Sequence, residues 1–157
     1  MDKVYMTPEG YKVLEEEYKN LKFVERPNVV QAISEARALG DLSENAEYHS
    51  AKDKQGIIES RIKELESKLA QAEIVDITKM TGDTIRFGVT VTICDLDTDE
   101  EKTFKIVGID EADIAKGLLS VQSPLGRVLL GKKEGDEVKL QTPGGKKNYE
   151  IEKVQYI

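Results

Sequence analysis

Residues 48–72 read YHSAKDKQGIIESRIKELESKLAQA. The positions Tyr48, Ala51, Gln55, Ile58, Ile62, Leu65, Leu69 and Ala72 are three and four residues apart in strict alternation, and all but Gln55 are apolar. That spacing is a coiled-coil seam. The remaining positions are mostly Glu, Lys, Arg, Ser and Gln, which suit water. A seam this narrow needs a partner helix. Upstream, Thr7-Pro8-Glu9 offers an N-cap followed by proline at the first helical position. Tyr11, Leu14, Tyr18 and Leu21 continue at helical steps. Pro27 is predicted to kink that helix or shift its seam. The stripe resumes at Val30, Ile33 and Ala36 or Arg37, and Gly40 ends it. Two such helices joined by a short connection predict an antiparallel hairpin. At ~1.5 Å per residue, about 33 residues give each arm a length on the order of 50 Å. An oligomerising coiled coil is the competing reading of the seam taken alone.

Composition changes near residue 78. Residues 1–77 hold 3 Gly, 7 Ala and 13 Val, Ile or Thr; residues 78–157 hold 9 Gly, 2 Ala and 22 Val, Ile or Thr. The first set favours helix, and the second favours strands with tight turns. Ile85–Ile93, Lys102–Val107, Glu137–Thr142 and Tyr149–Tyr156 alternate as strands do. Residues 95–101 and 131–136 and Pro143-Gly144-Gly145 read as turns, and Ser123-Pro124 as the cap of a short helix through Leu130. The expected fold is α+β. Domain 1–77 is an antiparallel α-helical coiled-coil hairpin, and domain 78–157 is a small, mostly antiparallel β-sheet.

Charge narrows the function. The chain has 157 residues, 23 basic and 30 acidic, for a net charge of −7. A chain so acidic is a poor coat for DNA or RNA, whose phosphates want a basic face. No apolar run is long enough for a membrane helix, and MDKVYMTPEG carries no secretory signal. A single cysteine, Cys94, fits a reducing cytoplasm. A single histidine, His49, leaves little room for zinc or histidine-relayed chemistry, and it reads as a solvated surface residue. Residues 126–133, GRVLLGKK, match most of a phosphate-binding loop. Lys133 stands where a Mg²⁺-holding hydroxyl belongs, and the apolar interior reads as a helix ended by glycine.

The expected hairpin turn, residues 37–48, reads RALGDLSENAEY. It concentrates Asp41, Glu44 and Glu47. Helix capping by Asp41 or Ser43 accounts for part of this, since acids suit a helix N-terminus. A partial site for a hard divalent ion is the other reading. Mg²⁺ takes one or two protein carboxylates and completes its shell with water and phosphate oxygens. The residues alone leave both open.

At these residues the chain closely resembles the bacterial transcript cleavage factors, the GreA/GreB family. Residues 36–49 look like the family's tip signature. Met6-Thr7, Arg26-Pro27, Val75-Asp76, residues 108–113, residues 123–127, Gly131-Lys132 and residues 142–145 match as well. The resemblance implies a coiled coil followed by a globular domain similar to FKBP. It implies docking of that domain on bacterial RNA polymerase, with Ser123, Pro124, Gly126, Arg127, Gly131 and Lys132 as docking residues. The coiled coil then enters the secondary channel. Asp41 and Glu44 match the family's two catalytic acids. In that reading they hold a second, weakly bound Mg²⁺ beside the ion held by the polymerase, and two ions ~4 Å apart support in-line hydrolysis of the RNA phosphodiester. The chain is then a donor of ligands and not an enzyme by itself. Its target is a backtracked complex with a displaced RNA 3′ end. Arg37 and Lys52 match a small basic patch near that RNA, with Lys52 lacking the guanidinium fork. The resemblance and the seam together imply a monomer. Two other classes compete. An inhibitory channel regulator would alter the acidic tip. A prolyl isomerase needs an aromatic-lined pocket, for which residues 78–157 offer Phe87, Phe104, Tyr149 and Tyr156.

Overall fold

The computed structural model describes residues 3–157. The chain divides into a helical unit, Tyr11–Ala72, and a second unit that joins Lys3–Gly10 to Glu73–Ile157. The expected ranges 1–77 and 78–157 differ from this on both sides of the hairpin. The cause is a two-stranded sheet of β1 (Val4–Met6) and β2 (Ala72–Ile74). The Val75 N–H donates to the Met6 carbonyl at 2.8 Å, and Met6 and Thr7 are 1% and 3% exposed. Three-residue strands carry too little alternation to be read from sequence.

In the helical unit, α1 (Pro8–Asn20) and α2 (Arg26–Ala38) run on through a π-turn at Leu21–Glu25. Thr7 caps the start, its hydroxyl oxygen accepting from the Gly10 N–H at 3.0 Å. The π-turn answers Pro27. Proline has no N–H, and its ring crowds the carbonyl four residues back. The Arg26 N–H bonds instead to Leu21, five residues back, which inserts one extra residue into the helix. The buried stripe shifts with it. Val29 is 3% exposed and Val30 is 51% exposed, so the expected Val30 gives way to its neighbour, while Ile33 and Ala36 are buried as expected.

The returning helix, α3 (Ala46–Gln71), buries Ile58, Ile62 and Leu65. The seam positions from Tyr48 to Ala72 are all buried or half-buried. Val29, Ile58 and Ile62 form a cluster with Tyr18 and Leu21 against it. Each large aliphatic side chain removed from water contributes about 1.5–3 kcal/mol. Forked ion pairs flank the seam. Arg26 meets Glu59 at 2.8 and 2.9 Å, and Arg61 meets Glu17 at 2.7 and 2.9 Å. Two parallel N–H···O bonds fix geometry better than a point charge, so these forks set the register of the arms.

In the second unit a five-stranded sheet runs β5-β4-β3-β7-β6. The strands are β3 (Thr90–Asp95), β4 (Glu101–Val107), β5 (Leu118–Ser120), β6 (Glu137–Thr142) and β7 (Gly145–Gln155). All pairings are antiparallel except β4 with β5. The expected strand Ile85–Ile93 begins only at Thr90. Gly88 has a φ of +88°, and the Val89 N–H closes a turn on Arg86. Val91, Ile93, Ile106, Leu119, Leu129 and Ile151 belong to the core beneath the sheet. Phe104 and Tyr149 are members of that core, and the Tyr156 hydroxyl donates to the Thr84 carbonyl. Phe104, Tyr149 and Tyr156 thus serve packing, and Phe87 stands 6.1 Å from the Tyr5 ring. Among the described residues no helix is long and apolar enough to cross a membrane.

Candidate functional site at the hairpin tip

The tip is built from how two helices end. The Leu39 N–H bonds to Ala36 and the Gly40 N–H to Arg37, at 3.1 and 3.2 Å. Gly40 has a φ of +101°, a conformation that costs little only without a Cβ. The chain then turns through Asp41–Glu44, all exposed. Asp41 holds the turn locally, its Oδ1 accepting from the Ser43 N–H at 3.1 Å and the Ser43 hydroxyl at 2.8 Å.

Helix α3 is capped by neither Asp41 nor Ser43, contrary to the capping alternative. Asn45 does it. Its Oδ1 accepts from the Tyr48 N–H at 3.0 Å, and its Nδ2 donates to the Ala36 carbonyl at 2.7 Å. One amide thus satisfies the start of α3 and gives the Ala36 carbonyl, which already accepts from the Leu39 N–H, a second donor at the end of α2. Sequence reasoning passed over Asn45. Its signal was there, a strong N-cap residue one position before a helical run.

The cap leaves the acids without a structural duty in proportion to their number. Glu44 has no hydrogen bond or ion pair with any described residue. Asp41 keeps Oδ2 free of protein partners. Glu47 lies in the first turn of α3, where its charge suits the helix dipole. His49 is exposed, and its Nε2 lies 3.3 Å from the Ser43 carbonyl. No group of three or more metal-ligating side chains occurs among the described residues. The tip presents two hard, exposed carboxylates, a donor set that fits Mg²⁺ only where other oxygens complete the shell.

The basic pair is brought together. Arg37 and Lys52 line one groove of about 340 Å³ on the hairpin, with Val30, Ile33, Ser34 and Gln55. The Arg37 guanidinium carbon sits 5.8 Å from the Tyr48 ring centroid, close enough for a cation–π attraction. Lys52 Nζ donates to Gln55 at 3.2 Å.

The 123–132 segment behaves differently. Helix α4 spans Pro124–Leu129. Ser123 caps it, accepting from the Gly126 N–H at 3.0 Å and donating to the Ser120 carbonyl at 2.7 Å. Gly126 is buried, and a Cβ there would collide with the Ser120 carbonyl oxygen. Gly131 lies just beyond the helix with a φ of +82°. Its N–H and the Lys132 carbonyl bracket Ile85 through backbone bonds of 2.9 and 2.8 Å. Residues 126–133 are therefore a helix end, not a phosphate loop. Of the six expected docking residues, Pro124, Arg127, Gly131 and Lys132 are exposed, and only Arg127 and Lys132 present charge.

Two families match the chain: "Transcription elongation factor, N-terminal" over residues 4–74, and "Transcription elongation factor, GreA/GreB, C-term" over residues 80–156. A Hyphomonas neptunium protein named transcription elongation factor GreA is 56% identical over 156 residues, covering 99% of each chain. A Ruegeria pomeroyi protein of the same name is 58% identical over 156 residues, again covering 99% of each. The crystal structure of GreA factor homolog 1 of Thermus thermophilus covers 98% of this chain and 99% of its own, at 26% identity and a TM-score of 0.45.

Proposed function

The chain belongs to the GreA/GreB family of transcription elongation factors, and from that premise we propose that it stimulates RNA polymerase to cleave the transcript of a backtracked complex. The observation that supports this most directly is the division of labour at the tip. Asn45 alone caps α3, Glu44 is unpartnered and Asp41 keeps one oxygen free. Two carboxylates are thus held out to solvent on a stiff support without a folding task that demands both.

In this reading the second unit docks on the polymerase, with Arg127 and Lys132 meeting acidic partners, and the hairpin enters the secondary channel. Asp41 and Glu44 then offer oxygens to a Mg²⁺ shared with the polymerase and orient the attacking water by accepting its hydrogen bonds. A metal ion there would activate that water and offset charge developing on the phosphoryl oxygens. Arg37 and Lys52, in one groove, steer the displaced RNA 3′ segment. The polymerase supplies the remaining metal ligands, so the chain donates groups and is not a nuclease by itself. It acts as a monomer in the cytoplasm, where its partner is.

The test uses stalled, backtracked complexes and the purified chain. Asp41→Asn and Glu44→Gln keep the size of each side chain and remove the charge a hard cation needs. Each is expected to lower cleavage by about 100-fold or more, the scale for a catalytic electrostatic group. Melting temperature and competition with wild type for the polymerase should hold, and raised Mg²⁺ should restore part of the rate. Glu47→Gln should cost far less. If all three variants lose activity in proportion to stability, the acids are structural and the proposal fails.

A further inference from the structure

The first turn of α1 has an unusual cap. Thr7 is the N-cap and Gly10 is the third helical residue, a position where glutamate commonly reaches back to the cap's own N–H. Here that task falls to Glu111, which is 104 residues away from Thr7 in sequence. The Thr7 N–H donates to Glu111 Oε2 at 3.0 Å, and the Thr7 hydroxyl donates to Glu111 Oε1. Thr7, Gly10 and Glu111 all belong to the second unit, while α1 continues beyond Gly10 into the hairpin.

One glycine makes room for this carboxylate, and a second lets the loop after β4 come close to β1. A Cβ on Gly10 would run into Glu111, whose Cδ, Oε1 and Cγ are the three nearest atoms. A Cβ on Gly108 would lie 2.8 Å from the Tyr5 carbonyl oxygen and 3.7 Å from Glu111 Oε2. Glycine within a helix costs about 1 kcal/mol relative to alanine, and nothing in the φ of Gly10 calls for it. The close approach of Glu111 does. A local capping box would satisfy the same N–H without any contact to residues 108–113. The arrangement therefore does something that capping alone does not require. It ties the turn through which α1 leaves the second unit to the loop after β4.

We propose that Glu111 is a positioning residue for transcript cleavage, holding the root of the hairpin so that the tip acids reach the scissile phosphate. This rests on the function proposed above. Glu111 touches no reacting atom and acts through Thr7 and α1. The experiment separates a tether from a cap. Glu111→Ala removes the contact. Gly10→Glu in the Glu111→Ala background places glutamate at the third helical position, and alanine at 111 clears each of the three atoms nearest the new Cβ. The double variant thus regains a cap in sequence but not the tie. Melting is followed by circular dichroism, polymerase binding by competition, and RNA cleavage at saturating factor and at a temperature where every variant is folded.

Glu111→Ala is expected to lower the saturating cleavage rate by roughly tenfold to 100-fold, the range for misplacement of reacting groups, with competition for the polymerase little changed. The double variant should recover melting temperature and not cleavage. Full recovery of both in the double variant, or wild-type cleavage by folded Glu111→Ala, would show that Glu111 only stabilises the helix end. Failure of the wild-type chain to stimulate cleavage would overturn the underlying function instead, so the two outcomes stay distinct.

Discussion

The hairpin and the sheet unit each carry a segment dense in residues typical of the family, and the fold uses the two segments in opposite ways. In residues 123–132 most of the pattern is consumed internally. Ser123 caps α4, Gly126 lies against the Ser120 carbonyl, and Gly131 takes a left-handed turn beside Ile85. Among its charged side chains, Arg127 and Lys132 are left exposed. At the tip the proportion reverses. Gly40, Asn45 and one oxygen of Asp41 carry the structure, and Glu44 and the second oxygen of Asp41 are left facing water. A shared pattern therefore marks two kinds of constraint, and only the contacts tell which residue answers to which.

The widest separation of these constraints should come from opposing Gly126→Ala to the tip acids. The new methyl group would have to displace a backbone carbonyl, an overpacking strain of about 1–3 kcal/mol. For a domain of this size that corresponds to a melting temperature lower by roughly 4–24 °C, read by calorimetry, with cleavage falling only as the fold is lost. Asp41→Asn should show the reverse, a large loss of cleavage at unchanged melting. Arg127→Ala belongs with the tip. Its stability should stay within about 0.5 kcal/mol of wild type, while its competition for polymerase weakens. Equal melting losses in Gly126→Ala and Arg127→Ala would erase the contrast.

A smaller effect sharpens the tip itself. Asn45→Ala removes the cap of α3 and the bond to Ala36, and should cost about 1–2 kcal/mol of hairpin stability. Asn45→Asp keeps an acceptor for Tyr48 but cannot donate to the Ala36 carbonyl. If that bond between the helix ends matters, urea denaturation will place Asn45→Asp between alanine and wild type. An aspartate variant as stable as wild type would reduce Asn45 to an ordinary cap.

Much of this was legible in the sequence where a period or a stop signal is strong. The seam from Tyr48 to Ala72, the Thr7-Pro8 start and the Gly40 end are visible as spacing and caps. So were β4, β6 and most of β7. What failed to show has physical reasons. The one-residue shift from Val30 to Val29 depends on how the helix relieves Pro27, and a kink and a π-turn look alike in sequence. Short strands such as β1, β2 and β5 exist because of their neighbours. The alternation of Ile85–Ile93 was real, but Gly88 interrupts it with a turn. At the tip, Asp41, Glu44, Arg37 and Lys52 could be named from family resemblance. That Asn45 rather than Asp41 or Ser43 caps α3, and that Glu111 serves α1 from a distance, are facts of tertiary contact.

The smallest expected effect is a difference between the two units in acid. The Arg61 hydrogen bond holds the Glu17 carboxyl below its ordinary value of 4.5. Glu59 is lowered in the same way by Arg26, and Glu64 by Lys68 and Arg61. All three lie in the hairpin. In the sheet unit the corresponding case is Asp76, lowered by its bond with Thr78. A folded value below the unfolded one means that folding favours the charged form, so the contribution is complete above pH 4.5 and fades as pH falls through the lowered value. The guanidinium partners stay charged throughout. The hairpin should therefore lose helix melting temperature more steeply than the sheet unit loses its own as pH drops below about 4.5. The shift should be modest, because the Glu17 side chain is 38% exposed and salt screens such pairs. Glu17→Gln removes the titrating group and should flatten that acid dependence while lowering stability at neutral pH. Far-ultraviolet circular dichroism melts across the acid range decide it. An unchanged slope in Glu17→Gln would mean that the Arg61 fork sets register without contributing to pH-dependent stability.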